Sequence, residues 1–456
     1  MTSRKSNSYC RTMMHIRAKS LHASILRIAL PAIVSNVTVP LLGIIDTAIV
    51  GHLGKASYIG AIAVGSLIFS IIYWLFGFLR AATSGLTSQA LGQHAPESIR
   101  IHFLRSAMMA LAISATLLLL QSPIAWAAFR LLDASAEVEH WARTYFHIAI
   151  WGAPAVMLTK TYTGWFIGMQ NTRIPMQVAI VQNIVNIPVS IFFVFCLHWN
   201  VAGVALGTVI AQYTGMAMSA VLKRRTYPQH SGWTKWKTLS DLKAIRHFLG
   251  INRDIFLRTV CIIAVTAYFT AASARQDDLT LAANTLLLQL FYIFSYIMDG
   301  FANAGEALSG KFCGARQLLR LDKSVRLLIL WGWGLAMGCT AAYAVVGYPF
   351  LTLLTDEQNV LMTSQQYFPW VLAIPIVSFA AFLWDGIFIG LTATRSMLVS
   401  MFIATMVFFI SWFCTSHYLH NHGLWMSFIL YLAVRSVTQT LQYRHMHRSM
   451  ADKRPT

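Results

Sequence analysis

Four carboxylates stand where a carboxylate is expensive. Asp46, Asp299, Glu306 and Asp385 fall inside long apolar runs. An acid at the centre of a membrane span costs roughly 2.5–3.5 kcal/mol on insertion scales and marks a functional path by default. Asp46 lies in Pro40-Leu-Leu-Gly-Ile-Ile-Asp-Thr-Ala-Ile-Val-Gly51, whose neighbouring turns hold no basic residue. A carboxyl there that takes up a proton on one side of a membrane and releases it on the other meets the requirement of proton-coupled transport. Pro31 precedes it in the same run. Proline removes a helix hydrogen bond and kinks the chain, so Pro31 reads as a hinge. Asn183, Asn186 and Ser190 in a later run, and Thr208 in the next, are polar residues that either line a site or glue helices together. The competing reading of Asp46 is a structural carboxylate bonded to a nearby Asn or Thr. Asp299, Glu306 and Asp385 would give the second half of the chain a polar interior, with Arg258 or Lys311 as candidate pairing cations. For these three, a paired structural role and a transport role stay open.

Other chemistry is poorly supplied. No HExxH, Ser/His pairing or Walker A sequence is present, which argues against a membrane-embedded enzyme and against ATP. None of the six cysteines forms a CxxC pair. His417, His420 and His422 cluster in what reads as a wet outer loop rather than a metal centre. No metal and no cofactor is expected beyond a coupling ion, with H+ favoured over Na+.

The elements that carry these residues follow from composition. Of 456 residues, 57% are hydrophobic and 11% charged, against roughly 25% charged in soluble domains. So few charges cannot cover a soluble surface, and a disordered chain would be poor in apolar residues. About twelve runs reach the roughly 20 residues that a membrane helix needs. They lie near 27–50, 58–90, 102–122, 144–168, 175–197, 201–222, 250–274, 281–310, 326–354, 367–390, 396–416 and 423–441. All exceed the roughly 10 residues of a barrel strand. The expected fold class is an all-α polytopic membrane protein.

Charge placement gives sidedness. With a cytoplasmic N-terminus, the outer loops hold the basic residues Lys55, Arg130, Arg143 and Arg275. The same loops hold the acids Asp133, Glu137, Glu139, Asp277, Asp278, Asp356 and Glu357. Most other Lys and Arg fall in tails and inner loops, the positive-inside pattern. Both termini are then cytoplasmic, in a bacterial-type inner membrane. The net charge of +19 needs no nucleic acid, and the inner patches can touch anionic lipid. The first run is too long for a signal peptide and no cleavage site follows it. Met1, Met13 and Met14 are all candidate starts.

The chain also repeats itself. Gly164-Trp-Phe-Ile-Gly168 is followed by Thr172-Arg173, and Gly386-Ile-Phe-Ile-Gly390 by Thr394-Arg395, a separation of 222 positions as from 168 to 390. The same separation joins Leu86 to Leu308 and Gly92 to Gly314. Six spans separate the copies, so the repeat is parallel. The expected organisation is a tail at 1–24, a six-helix lobe at 25–222, a linker at 223–249, a second six-helix lobe at 250–442 and a tail at 443–456.

Leu26 to Leu53, Asn252-Arg-Asp-Ile255 and Leu383-Trp-Asp-Gly-Ile-Phe-Ile-Gly390 resemble the multidrug and toxic compound extrusion family, in its DinF-like branch, over roughly residues 25–445. The resemblance implies two six-helix lobes around a V-shaped cleft and export of organic cations and other toxic compounds against protons or sodium. By resemblance, Asp46 matches the first-span coupling acid, Pro31 the proline that bends on protonation, and Asn186 and Thr208 the acid's polar partners. Ser190 stands where relatives carry a second acid, and Arg258 lies near where the NorM-like branch has an acid in span seven. These departures count against sodium. Asp385 matches the span-ten acid of that branch. The expected substrate is an amphiphilic or cationic small molecule and the expected state a monomer. A flippase for lipid-linked intermediates is the nearest alternative, and a membrane scaffold the most remote.

Overall fold

In the computed structural model, residues 2–51, 55–132, 135–230, 232, 234, 239 and 241–452 are described. Met1, Asp133, and Lys235 and Lys237 of the expected linker lie outside them, as do the side chains of Met13 and Met14. Every long element is helical: α1 (Thr2–Gly51), α2 (Ala56–Leu75), α3 (Phe78–Gly92), α4 (Pro96–Leu119), α5 (Gln121–Leu132), α6 (Ala136–Ala149), α7 (Ala153–Gly168), α8 (Arg173–Ile191), α9 (Asn200–Thr226), α10 (Leu242–Ala274), α11 (Asp278–Gly314), α12 (Leu318–Leu354), α13 (Gln358–Gly390) and α14 (Thr394–Asp452). The backbone between 2 and 24, expected as a tail, is helical. It contains no Pro or Gly to stop α1 earlier.

Among the described residues, ten helices are long and apolar enough to cross a membrane. Two further spans sit inside compound elements. The last, Thr394–Ser449, divides at His420, whose φ of 45° breaks the helix. The stretch 136–168 is two shorter helices joined by the single 3-10 turn Ile150–Gly152. Together these fit the expected twelve. Side chains such as Leu67, Leu111, Leu330 and Phe402 are exposed, as lipid-facing residues must be.

The chain forms two compact units. One comprises Val34–Thr259; the other comprises Met1–Ile33 with Val260–Thr456. The divisions fall inside α1 and α10. In the first unit, Phe103, Trp165, Phe166 and Val178 form a buried cluster. In the second, Phe269, Phe294, Phe388, Phe408, Trp425 and Phe428 are all below 2% exposed.

The 222-residue repeat is present in the architecture of both units. Helices begin at Ala56 and Asp278, at Pro96 and Leu318, and at Ala136 and Gln358, each pair 222 apart. Positive-φ residues pair in the same register: His94 with Arg316, Gln170 with Thr392, and His198 with His420. At His94 and Arg316 the helix ends identically. Ala95 N–H donates to Ala90 O at 3.0 Å, and Gln317 N–H to Phe312 O at 2.9 Å. This is the left-handed cap that satisfies the last carbonyls of a helix.

The repeated glycines explain the shared packing. A Cβ on Gly164 would strike the backbone carbonyl of Arg80; one on Gly386 would strike that of Ala302. Gly168 meets Ser84 and Thr87, and Gly390 meets Glu306 and Ser309. All these partners are again 222 apart. The glycines let two helix backbones approach closely, as small residues four apart do in membranes.

Candidate functional site

The unit formed by Val34–Thr259 gathers its polar residues around Asp46. The acid sits near the end of α1 and is 4% exposed. Thr208, on α9, donates its hydroxyl to Asp46 Oδ2 at 3.3 Å. Asn186, on α8, donates Nδ2 to Thr208 Oγ1 at 3.1 Å. Asn186 and Ser190 are both fully buried. The approach of α8 and α9 that makes this possible rests on Gly207: a Cβ there would meet Ser190 Cα and N at 3.0 Å. Pro188 lies inside α8 between the two site residues, and a π turn, Phe192–Cys196, follows.

The set is short of donors. Asp46 Oδ1, Asn186 Oδ1 and Ser190 Oγ have no hydrogen-bond partner among the described residues, and no ion pair to Asp46 is seen among them. Buried polar atoms are normally satisfied, and three of the unpartnered ones among the described residues belong to this cluster. The arrangement suits both protonation states. Ionised, Oδ2 accepts from Thr208; protonated, a free carboxyl oxygen becomes a donor among unpaired acceptors.

Two expected members stand apart. Asn183 donates Nδ2 to Thr38 O at 2.8 Å, tying α8 to the backbone of α1. Pro31 lies within helical α1 and belongs, by contacts, to the other unit. Tyr145, absent from the sequence expectation, neighbours Asp46, Ser66 and Thr208 and is 4% exposed. It lies in the first turn of the run 144–168, where an uncharged aromatic residue carries no signal of its own.

The three acids of the other unit have different surroundings. Asp385 Oδ2 is ion-paired with Nη2 of Arg435, and Gln439 donates Nε2 to Asp385 Oδ1 at 2.7 Å. All three are buried. Asp385 therefore pairs with Arg435, a cation not among the candidates Arg258 and Lys311 for these three acids. The guanidinium also lies 5.7 Å from the Phe382 ring centroid, and Asp299 is within its electrostatic reach. Arg435 is the one Lys or Arg in the run 423–441, the same signal that identified the acids. Glu306 is 1% exposed, on the face of α11 that receives Gly390.

The register places no second copy of the Asp46 set. Positions 222 beyond Asp46, Asn186, Ser190 and Thr208 are Tyr268, Phe408, Trp412 and Leu430. Trp412 Nε1 donates to the Tyr268 hydroxyl at 3.1 Å, and the Tyr268 and Phe408 rings meet edge-on at 6.2 Å. An aromatic cluster stands where the first unit has its acid.

Comparison with known proteins agrees with this organisation. The MatE family model matches residues 31–192 and 255–412, one segment in each repeat. The chain is 34% identical over 427 residues to "DNA damage-inducible protein F" of Escherichia coli K12, covering 92% of each. A "Probable multidrug resistance protein NorM" of Acinetobacter baylyi is 22% identical over 262 residues, covering 55% of this chain and 58% of that one. The crystal structure of the Vibrio cholerae MATE transporter VcmN in the bent form superposes with a TM-score of 0.84 at 18% identity, covering 95% of this chain and 98% of that chain. The doubled match and the shared third of its residues with a full-length relative identify this chain as a member of the MatE family.

Proposed function

We propose that the chain is a cation-coupled antiporter that exports amphiphilic or cationic small molecules by alternating access, with Asp46 as the group that is loaded and unloaded by protons. The family is one of transporters, and one similar protein carries the name of a probable multidrug resistance protein. The observation that carries the reading is the buried Asp46 carboxyl. Among the described residues Thr208 donates to its Oδ2, while its Oδ1 is unpartnered, as are the Asn186 and Ser190 side-chain oxygens. Such a group changes its hydrogen-bonding needs with each proton, which is how a proton step biases a two-state transporter.

The proton is the favoured coupling ion because the site offers a single carboxylate, with Ser190 in place of a second. The other unit spends Asp385 on its own guanidinium. That neutralised pair also weighs against a flippase for anionic lipid-linked intermediates, which would want spare cations. Lys and Arg placement puts both termini in the cytoplasm of a bacterial-type inner membrane, and one chain holds the complete set of site residues.

The test is dye efflux from a pump-deficient host, and substrate-driven proton movement in proteoliposomes, each with and without sodium. Export independent of sodium and lost in Asp46→Asn is expected. Undiminished antiport in Asp46→Asn would overturn the role of this acid.

A further inference from the structure

In the unit formed by Val34–Thr259, a pocket of about 480 Å³ opens between α3, α4 and α10. Its volume is in the range of small-molecule sites. Its walls are apolar, from Phe78, Met109, Ile113 and Phe256, and Arg246 and Arg253, two turns apart on α10, also line it. Arg253 is 69% exposed and shares its charge with Asp254 at 2.9 Å; Arg246 is exposed. Asn252 also lines the pocket and spends its amide N–H on Phe248 O at 2.7 Å. None of these residues belongs to the Asp46 set.

The dimensions match one class of ligand. From Arg246 to Phe256, α10 rises about 15 Å at 1.5 Å per residue. That is half of the roughly 30 Å hydrocarbon core. The pocket therefore covers at most half of the bilayer core along α10, with Arg246 at its shallow end, Arg253 about 10 Å farther along and Phe256 beyond it, within the reach of one acyl chain. Its charge has the sign of a phosphate receptor, and guanidinium groups pair well with phosphate oxygens. An organic cation would meet two arginines in the lining, so this pocket is unsuited to the exported substrate.

We propose that this pocket is a binding site for an anionic phospholipid of the leaflet at the basic face, with its phosphate between Arg246 and Arg253 and one acyl chain along Phe78, Met109, Ile113 and Phe256. The lipid bridges α10 to α3 and α4. It bears on the stretch around Phe76 and Gly77, where α2 gives way to α3. The lipid is thus placed to stabilise this unit without touching Asp46.

The experiment uses the full chain purified in a neutral detergent. Binding and thermal stabilisation are measured with dioleoylphosphatidylglycerol, dioleoylphosphatidylcholine and inorganic phosphate. Wild type is compared with Arg246→Gln/Arg253→Gln and, separately, with Ile113→Trp, which fills the apolar part and leaves the charges. Stabilisation by phosphatidylglycerol alone, about tenfold weaker in the double variant and lost in Ile113→Trp, is the expected result. Circular dichroism confirms that each variant is helical before titration. Equal stabilisation by both lipids, an equal effect of inorganic phosphate, or undiminished binding in both variants would overturn the proposal.

Discussion

Asp46 and Tyr268 occupy one position of the 222-residue register, and each is the polar centre of its own cluster. The carboxyl accepts from a threonine hydroxyl; the phenol accepts from the Trp412 indole. A phenol keeps its proton at neutral pH, so the two copies differ in what they can do with a proton although the helices starting at Ala56, Pro96 and Ala136 have counterparts in register.

This asymmetry predicts a contrast between matched variants. Asp46→Asn is expected to abolish substrate-driven proton movement, whereas Tyr268→Phe retains it. Loss of the Trp412 bond in Tyr268→Phe should cost about 1 kcal/mol of stability. Thr208→Val removes the hydroxyl donor and is expected to slow antiport about tenfold, the effect of one lost hydrogen bond to a charged group. Thr208→Ser keeps the donor and should stay near wild type. Proteoliposome fluorescence with a pH-sensitive dye reads all of these.

The buried Asp385–Arg435 pair makes a second prediction, about stability. Removing one partner leaves an uncompensated charge, so Arg435→Met is expected to destabilise the protein by about 3–5 kcal/mol. The double variant Arg435→Met/Asp385→Leu should recover most of that loss, because well-packed apolar residues often replace a buried pair without cost. Thermal unfolding in detergent measures both. A double variant as unstable as the single one would show that Gln439 and Asp299 make larger demands on Asp385 than the pair itself.

Much of this was legible in the sequence because hydrocarbon penalises a wrong residue so heavily. The spans, the register of 222 and the choice of Asp46 all follow from where charge and glycine are tolerated. Asn186 and Thr208 were named as its partners by resemblance, and they lie in one hydrogen-bonded chain with it. Asn183 was grouped with them, yet it bonds the Thr38 carbonyl, since two asparagines three apart on a helix differ only by a side-chain direction that one sequence does not record. The candidate cations Arg258 and Lys311 lie farther from Asp385 in sequence than its observed partner does. That partner is Arg435, 50 residues away, and only the packing of α13 against α14 brings the two together.

The glycine crossings give a third prediction with an internal control. Gly164→Ala and Gly386→Ala each place a methyl group against a backbone carbonyl of the neighbouring helix, an atom that cannot turn aside. Each is expected to destabilise by about 1–3 kcal/mol, the usual cost of overpacking. Gly334 and Gly338 lie on α12 with nothing near the site of a Cβ. Alanine there should be neutral or stabilising by up to about 1 kcal/mol, from helix propensity alone. Thermal unfolding of the four variants separates crossing from propensity.

The last prediction concerns pH, through the start of α11. Asp277 is the N-cap of that helix and accepts from the Thr280 backbone N–H at 2.6 Å and from its hydroxyl at 2.8 Å. These bonds, the backbone one first, hold its carboxyl below the usual value of 3.8. Its contribution is therefore complete above about pH 4 and disappears as pH falls through the lowered value. Asp277→Ala should cost roughly 0.5–1 kcal/mol at pH 7, the low end for a cap because the group is exposed. The gap between variant and wild type should narrow as pH falls below 3.8 and the wild-type carboxyl takes up its proton. Lys55 holds the same position at the start of α2 and makes no side-chain cap. Lys55→Asp should gain a similar amount at pH 7 and lose it over the same acid range. Unfolding midpoints at pH 7 and over a descending series below pH 3.8 test both, and a gap for Asp277→Ala that does not narrow along the series would assign the loss to packing rather than to the charged cap.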